Sequence, residues 1–314
     1  MPTVDYDIFG DIHGCNLTLE ALLQKLGYQL VDGHYAHPQR QAIFLGDFID
    51  RGPGQKEVID LVKGMMEAGS AHAVMGNHEL NAIAYYTQNP LTGDFLRPHT
   101  EKNRLQHEVF LDVFERDEVE WKKAIDWFKT LPLWLDLGEI RCIHACWDDI
   151  FIEKIKKSQN DSNLLGSNLL NNGFEQGNWE FEALETLLKG KEIPLPTGHH
   201  FFDKQGIKRH NMRVRWWDST ATNYRAAYLG PENARTHIPD DDIIGDHLVD
   251  YGHSMPPVFI GHYWLEGNPE PLAGNIACLD YSVAKPGGKL TVYRWSGEKV
   301  LRTENFVSVN RVEA

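Results

Sequence analysis

Between Val4 and Glu79 a short strand runs three times into a glycine-bounded loop of metal-capable side chains, and then into a helix. In the first copy, residues 4–9 end in Gly10-Asp11-Ile12-His13-Gly14. A helix follows, with Asn16 as its expected N-cap and Leu17, Leu19, Leu22, Leu23 and Leu26 at helical spacing. In the second, the apolar run 42–45 ends in Gly46-Asp47-Phe48-Ile49-Asp50-Arg51-Gly52-Pro53. Pro53 sits near the first turn of a helix whose apolar face is Val58, Ile59, Val62 and Met65. In the third, residues 71–75 end in Gly76-Asn77-His78-Glu79, where a helix begins. The separations, 36 residues from Asp11 to Asp47 and 30 from Asp47 to Asn77, suit βαβ crossovers. Each copy delivers polar side chains to the carboxyl end of a strand, where open α/β sheets bind ligands. One Asp-x-His turn reads equally well as a solvated turn; three copies in succession do not.

Residues 28–30 and 35–37 flank the Asp32-Gly33 signal of a small hairpin. Residues 88–131 read as a helical insert, with helices over 101–114 and 118–131 and Leu105, Val109, Phe110, Val113, Ile125 and Phe128 as apolar positions. Residues 133–137 and 139–143 form a hairpin about Gly138, ending at His144. Residues 152–256 read as a cap: a long loop over 160–178, a short helix over 181–188, a strand over 212–217 and an acidic loop at 239–242. The core resumes at 257–260, a strand ending in Gly261-His262-Tyr263-Trp264. Further strands, expected to be antiparallel, follow at 275–280, 289–295 and 299–307. The expected fold class is α/β and sandwich-like. One domain over 1–314 has central mixed β-sheets flanked by helices, with the site at the strand carboxyl ends.

Five strand ends thus offer Asp11 with His13, Asp47, Asn77, His144 and His262. Carboxylate, amide oxygen and imidazole together suit two first-row divalent ions. Ions about 3.5–4 Å apart need a shared anionic ligand. Asp47, from the middle copy, is the natural bridge, with Asp11 and His13 on one ion and Asn77, His144 and His262 on the other. Such a pair can turn a bridging water into hydroxide and clamp a phosphoryl oxygen for in-line displacement. Manganese is the expected metal, with iron or zinc also suited. His78 follows Asn77 into the same space and can protonate a leaving alkoxide. Asp50 can orient His78 and favour its protonated form. Arg51 offers a planar fork to phosphate oxygens. In the cap, alternation along 212–217 places Arg213 and Arg215 on one face and Val214 with Trp216 on the other. Either arginine can supply a second phosphate contact or a surface salt bridge of little worth.

The set GDIHG, GDFIDRG, GNHE, a strand-ending His144 and the Gly261-His262 pair resembles the calcineurin-like metallophosphoesterases. It is most similar to their phosphoprotein phosphatase branch, including bacterial members and the related diadenosine tetraphosphatases. The resemblance covers about residues 4–87 and, more loosely, 133–147 and 257–295. It implies the same six ligands, His78 as acid, Asp50 as its partner and Arg51 on phosphate. Two positions depart from the pattern. His144-Ala145-Cys146 stands where the protein phosphatases usually carry His-Gly-Gly, and Trp264 stands where many diesterases carry the last histidine of Gly-His-x-His. The second departure, with Arg51 present, favours the phosphatase branch.

Composition narrows the field. A formal net charge of −14 over 314 residues argues against binding a nucleic-acid backbone. No stretch approaches the roughly 18 apolar residues of a membrane span, and the chain opens without a basic or apolar leader. Four cysteines make no disulfide framework. The expectation is a cytoplasmic, reduced protein, with no oligomeric state specified. Cys142, His144 and Cys146 alternate and can face one zinc ion; the plainer reading is small core residues. Cys15 reads as a buried inert thiol beside the metal loop, His199-His200 as loop surface, and Trp264 as part of a cleft wall. The expected partner is a phosphorylated substrate, a phosphoprotein or small phosphoester. Monoester hydrolysis ranks first, hydrolysis of nucleotides or dinucleoside polyphosphates second. A non-catalytic scaffold ranks last, because every catalytic position is occupied.

Overall fold

The computed structural model describes residues 4–202, 208–230 and 232–313. The first half runs β1 (Asp5–Phe9), α1 (Asn16–Leu26), β2 (Gln29–Val31), β3 (His34–Ala36), β4 (Arg40–Phe44), α2 (Gln55–Glu67), β5 (Ala71–Ala73) and α3 (Asn77–Tyr86). The insert holds α4 (Glu101–Gln106), α5 (Glu108–Phe114) and α6 (Glu118–Phe128), and a hairpin of β6 (Trp134–Asp136) and β7 (Arg141–Ile143) follows. The cap contains α7 (Asp149–Ser158), α8 (Ser167–Asn172), α9 (Trp179–Lys189), β8 (Glu192–Pro194), β9 (Phe201–Phe202), β10 (Lys208–Arg209), β11 (Asn211–Arg213), α10 (Tyr224–Ala227) and α11 (Glu232–Arg235). The chain finishes with β12 (Val258–Ile260), β13 (Ile276–Cys278), β14 (Asp280–Tyr281), β15 (Lys289–Trp295) and β16 (Phe306–Asn310).

Two sheets form a sandwich. In the first, β1, β4 and β5 are parallel, β15 pairs antiparallel with β1, and β14 and β16 pair antiparallel with β15. In the second, ordered β13-β12-β7-β6, the first three strands are parallel and β6 closes the edge antiparallel. Strand alternation sorts the side chains. Ile8 and Ile43 join Cys142, Phe259 and Ala277 in an apolar layer between the sheets. Phe9, Ala42 and Phe44 face the opposite way, onto α1 and α2 through Leu19, Leu23, Val58 and Val62. The Phe259 and Tyr293 rings meet across the sandwich at 5.1 Å. The outer cluster continues without a break into the cap through Leu187, Met212, Val214 and Trp216.

Local expectations differ from the structure at several points. Cys15, not Asn16, is the N-cap of α1, and Leu17 is exposed because its position faces away from β1 and β4. The helix expected over 101–114 is broken at His107, whose ring is drawn inward. That break turns Leu105 and Val113 outward, and Phe110, Leu111 and Phe114 carry the burial instead. The loop expected over 160–178 contains α8, and the cap opens with α7, capped by Asp148 accepting from Ile150 N at 2.9 Å. The strand expected over 212–217 ends as β11 at Arg213; only Val214 extends it, bridging Tyr228. Its alternation holds, with Met212, Val214 and Trp216 fully buried. β13 pairs parallel with β12, not antiparallel, because it belongs to the second sheet. The last strand begins after a 3₁₀ turn at Thr303–Asn305. Among the described residues no helix is long and apolar enough to cross a membrane.

Phe259 is fully enclosed between the sheets. Phe259→Ala is expected to lower unfolding stability by about 3–5 kcal/mol, read from urea denaturation. A loss below about 1 kcal/mol would show that the two sheets do not share a cooperative core.

Candidate active site

The parallel strands of both sheets end at one place. β1, β4 and β5 deliver Asp11 with His13, Asp47 with Asp50 and Arg51, and Asn77 with His78; β7 and β12 deliver His144 and His262. The loops are laced together by backbone bonds. His13 N donates to Asp47 O at 2.8 Å, Gly14 N to Phe48 O at 2.8 Å, and Gly261 N to His144 O at 2.8 Å. Two glycines are required by close approach. A Cβ on Gly76 would lie 2.3 Å from Asp47 Oδ1, and one on Gly261 would lie 2.1 Å from Asp11 Oδ1. The turns are strained. Six of the ten described non-glycine residues with positive φ lie here: His13 (49°), Asp47 (53°), Asp50 (68°), Arg51 (71°), His262 (74°) and Trp264 (55°). Such clusters mark functional sites.

The imidazoles are oriented to present lone pairs inward. His144 Nδ1 donates to Leu45 O at 2.7 Å, so Nε2 carries the lone pair in the neutral ring. That Nε2 lies 3.1 Å from Asn77 Oδ1 and 3.4 Å from Asp47 Oδ1, both acceptors. His13 repeats the device: Nδ1 donates to Ile49 O at 2.9 Å, and Nε2, with no hydrogen-bond partner, lies 3.7 Å from Asp47 Oδ2. His262 Nδ1 lies 2.7 Å from Asn77 Oδ1. Oxygen and nitrogen acceptors aimed at one another repel unless a cation or proton sits between them. Two groups close enough to hold an ion, His13/Asp47/His78 and Asp47/His144/His262, share Asp47. The donor set therefore fits two divalent cations with Asp47 common to both. Burial alone would depress His144, but the Asp47 and Asp11 carboxylates outweigh it and push it up to about 10, so where no cation is bound a proton on Nε2 faces Asp47 instead. Asp11 lies outside both groups; its carboxylate accepts from His262 N at 3.1 Å. Burial, then the nearby Asp280 charge, pushes Asp11 well above the usual carboxylate range.

Beside this centre, His78 Nδ1 lies 2.5 Å from Asp50 Oδ2 and His107 Nδ1 lies 2.7 Å from Asp50 Oδ1. Burial would raise Asp50; the His107 and His78 imidazoles outweigh it and hold the carboxyl well below its usual range. Burial would lower His78, but the Asp47 and Asp50 carboxylates raise it, favouring the imidazolium. Glu79 accepts three backbone N–H bonds, from Asp47 (2.8 Å), Phe48 (2.8 Å) and Gly76 (3.0 Å), tying the second loop to the third. Asp280 accepts from Trp264 N at 2.6 Å and Ser282 N at 2.9 Å, holding the loop after β12.

On the open side, the Arg51 guanidinium lies 4.1 Å over the Trp264 ring, with Lys285 Nζ 4.5 Å from the same ring. Arg213 donates to Lys189 O at 3.0 Å, is 38% exposed in its side chain, and its charge bears on His262 and Tyr263. Arg215 is half-buried, with its backbone N–H on Ala227 O. The structure thus gathers Asp11, His13, Asp47, Asn77, His144, His262, His78, Asp50 and Arg51, and brings Arg213 closer in effect than Arg215. Cys142 and Cys146 are sealed in the core with thiols pushed up by burial, and no cysteine belongs to a candidate metal group among the described residues. The Cys15 thiol is also buried and raised, donating to His13 O. Sequence reasoning missed His107, Glu79 and Asp280. An acid three residues after a helix-opening glycine is a capping signal that points to Glu79, and Asp280 stands at a strand end like the ligands. His107 carries no local signal.

The calcineurin-like phosphoesterase family model matches residues 6–263. The asymmetrical bis(5'-nucleosyl)-tetraphosphatase PrpE of Oceanobacillus iheyensis is 35% identical over 150 residues, covering 44% of this chain and 54% of that protein. Its namesake from Bacillus velezensis is 44% identical over 143 residues, covering 45% and 55%. The chain spans about half the length of the curated relatives it matches. A solved protein serine/threonine phosphatase from Saccharomyces cerevisiae aligns over 100% of this chain and 82% of its own, with TM-score 0.54 and 14% identity, a likeness of fold. Since the matched span runs from β1 through His262 and holds all six candidate ligands, the chain belongs to the calcineurin-like phosphoesterase family.

Proposed function

We propose that this chain is a two-metal phosphohydrolase acting on dinucleoside polyphosphates, with residues 1–314 working as one domain. The observation that carries the hydrolytic reading is the clustering of His13, His144 and His262 about Asp47; His78, which the same cluster includes, is assigned to acid catalysis because Asp50 holds its Nδ1. The substrate class is supported by the relatives named as bis(5'-nucleosyl)-tetraphosphatases. It reverses the order that the motifs alone suggest, in which phosphoproteins come first.

Asp11, His13 and Asp47 would hold one cation, and Asp47, Asn77, His144 and His262 the other. Manganese is the first candidate, and iron or zinc the alternatives. Bound there, the cations supply Lewis acidity, activating a water and offsetting charge on the phosphoryl oxygens. Arg51, lying over Trp264, presents its N–H fork to those oxygens. Asp50 accepts the Nδ1 proton of His78, so the proton on Nε2 is the one available to the leaving oxygen. Arg213, paired with Lys189 O and 3.6 Å from Glu192, bears on His262 through its charge and would be the cap's contact for the further phosphates of a polyphosphate chain.

Chelation is expected to abolish turnover and Mn²⁺ to restore it, with kcat/KM higher for diadenosine tetraphosphate than for a phosphopeptide. The opposite preference would return the reading to protein phosphatase. His78→Ala is expected to lower kcat roughly 10²–10⁴-fold on esters with basic leaving groups, and less on activated aryl phosphates. Asp50→Asn should show the same pattern in milder form, and losses independent of the leaving group would remove His78 from the acid role. Arg213→Ala should lower kcat/KM by one or two powers of ten, about 1.4–2.7 kcal/mol, at unchanged melting temperature, with Arg215→Ala near wild type. Equal effects in the two variants would count against a contact specific to Arg213.

A further inference from the structure

We propose that His107, supplied by the helical insert, is a positioning residue that fixes the general acid through Asp50. The proposal rests on the assignment of His78 as that acid. A carboxylate only accepts, so both imidazoles must donate to Asp50: His78 Nδ1 to Oδ2 at 2.5 Å and His107 Nδ1 to Oδ1 at 2.7 Å. The terminal torsion of an aspartate is broad. One donor leaves the carboxylate plane free to turn, whereas two donors on opposite oxygens fix it. His78 then inherits a fixed direction.

The His107 ring is itself held. It stacks on Phe110 at 4.6 Å and leans on Tyr85 at 5.6 Å. The preceding segment is tied down by Arg97, which donates to Gln106 Oε1 at 2.8 Å and Asn103 Oδ1 at 3.3 Å. His99 anchors the segment further, stacked between Tyr85 at 3.8 Å and Phe95 at 4.0 Å. The backbone breaks between α4 and α5 at His107 itself, with φ −117° and ψ 9°. Its Nε2 is enclosed without a hydrogen-bond partner, a cost that an apolar residue would not carry. An apolar side chain here would leave Asp50 Oδ1 buried without its second donor, so the polar ring is explained by what it does to Asp50.

The test uses the full chain loaded with Mn²⁺. His107→Leu removes the donor, and His107→Asn places an amide N–H near the position of Nδ1. On phenyl phosphate, His107→Leu should lower kcat about 10-fold with KM unchanged, and less on 4-nitrophenyl phosphate. His107→Asn should recover most of the loss. In a His78→Ala background, His107→Leu should cost nothing more. Proton NMR of ¹⁵N-histidine-labelled protein, loaded with diamagnetic Zn²⁺ in place of paramagnetic Mn²⁺, should show the hydrogen-bonded Nδ1–H of His78 far downfield in wild type and His107→Asn, and broadened or moved upfield in His107→Leu. A loss equal on both esters, a loss that persists in the His78→Ala background, or an unmoved His78 signal overturns the proposal. Should His78→Ala alone show no leaving-group dependence, the acid assignment falls, and the NMR signal still decides whether His107 orients the ring.

Discussion

Five carboxylates, those of Asp11, Asp47, Asp50, Glu79 and Asp280, are buried around one site. A buried charge without compensation is costly, and the local architecture is largely the set of answers to that cost. Glu79 is answered by three backbone N–H groups, Asp280 by two, and Asp50 by two imidazoles. Asp47 takes one backbone N–H, from His78, and is otherwise surrounded by ring nitrogens. Asp11 has the His262 amide and a neighbouring like charge in Asp280. Asp11 is the carboxylate that protein groups offset least, and Asp47 lies among the ring nitrogens of His13, His78 and His144. That is where a pair of cations is most favoured. The donors to Glu79 come from two different loops, so the same compensation sets the spacing between them.

The ligands are divided between the sheets. Asp11, Asp47 and Asn77 follow strands of the first, and His144 and His262 follow strands of the second. Their convergence depends on how the sheets pack, and so on the apolar layer that contains Ile8, Ile43, Phe259 and Tyr293. Core and chemistry are not independent here. A repacking that slid one sheet against the other would move two imidazoles relative to three oxygen donors, and charge-assisted contacts near 3 Å tolerate little of that.

Much of the first sheet and the ligand set was legible because each copy obeys local rules. A short apolar strand, a glycine where backbones touch, and a polar residue at the strand end can be read without knowing the fold. The hairpin about Gly138 and the buried alternation of Met212, Val214 and Trp216 were legible for the same reason. What escaped depends on distant partners. The helix break at His107 follows from a hydrogen bond to Asp50, 57 residues away. The parallel pairing of β13 follows from a second sheet that no single segment encodes. Leu105 and Val113 carry helical periodicity yet face outward, because the break re-aims the helix. The motif resemblance takes in protein phosphatases and diadenosine tetraphosphatases alike, which is why the motifs themselves could not separate phosphoprotein from dinucleotide.

The strained turns carry a consequence for any attempt to improve this protein. His13, Asp47, Asp50, Arg51, His262 and Trp264 hold backbone conformations that glycine adopts freely. Each non-glycine residue there costs on the order of 1 kcal/mol or more. A screen that rewards thermal endurance alone would favour glycine at these positions, and each gain would delete a working side chain. Durability and turnover pull in opposite directions along the same short loops. Hardening is better sought elsewhere, for instance at the exposed Leu30–Val31 edge of the small hairpin or on the outer face of α6.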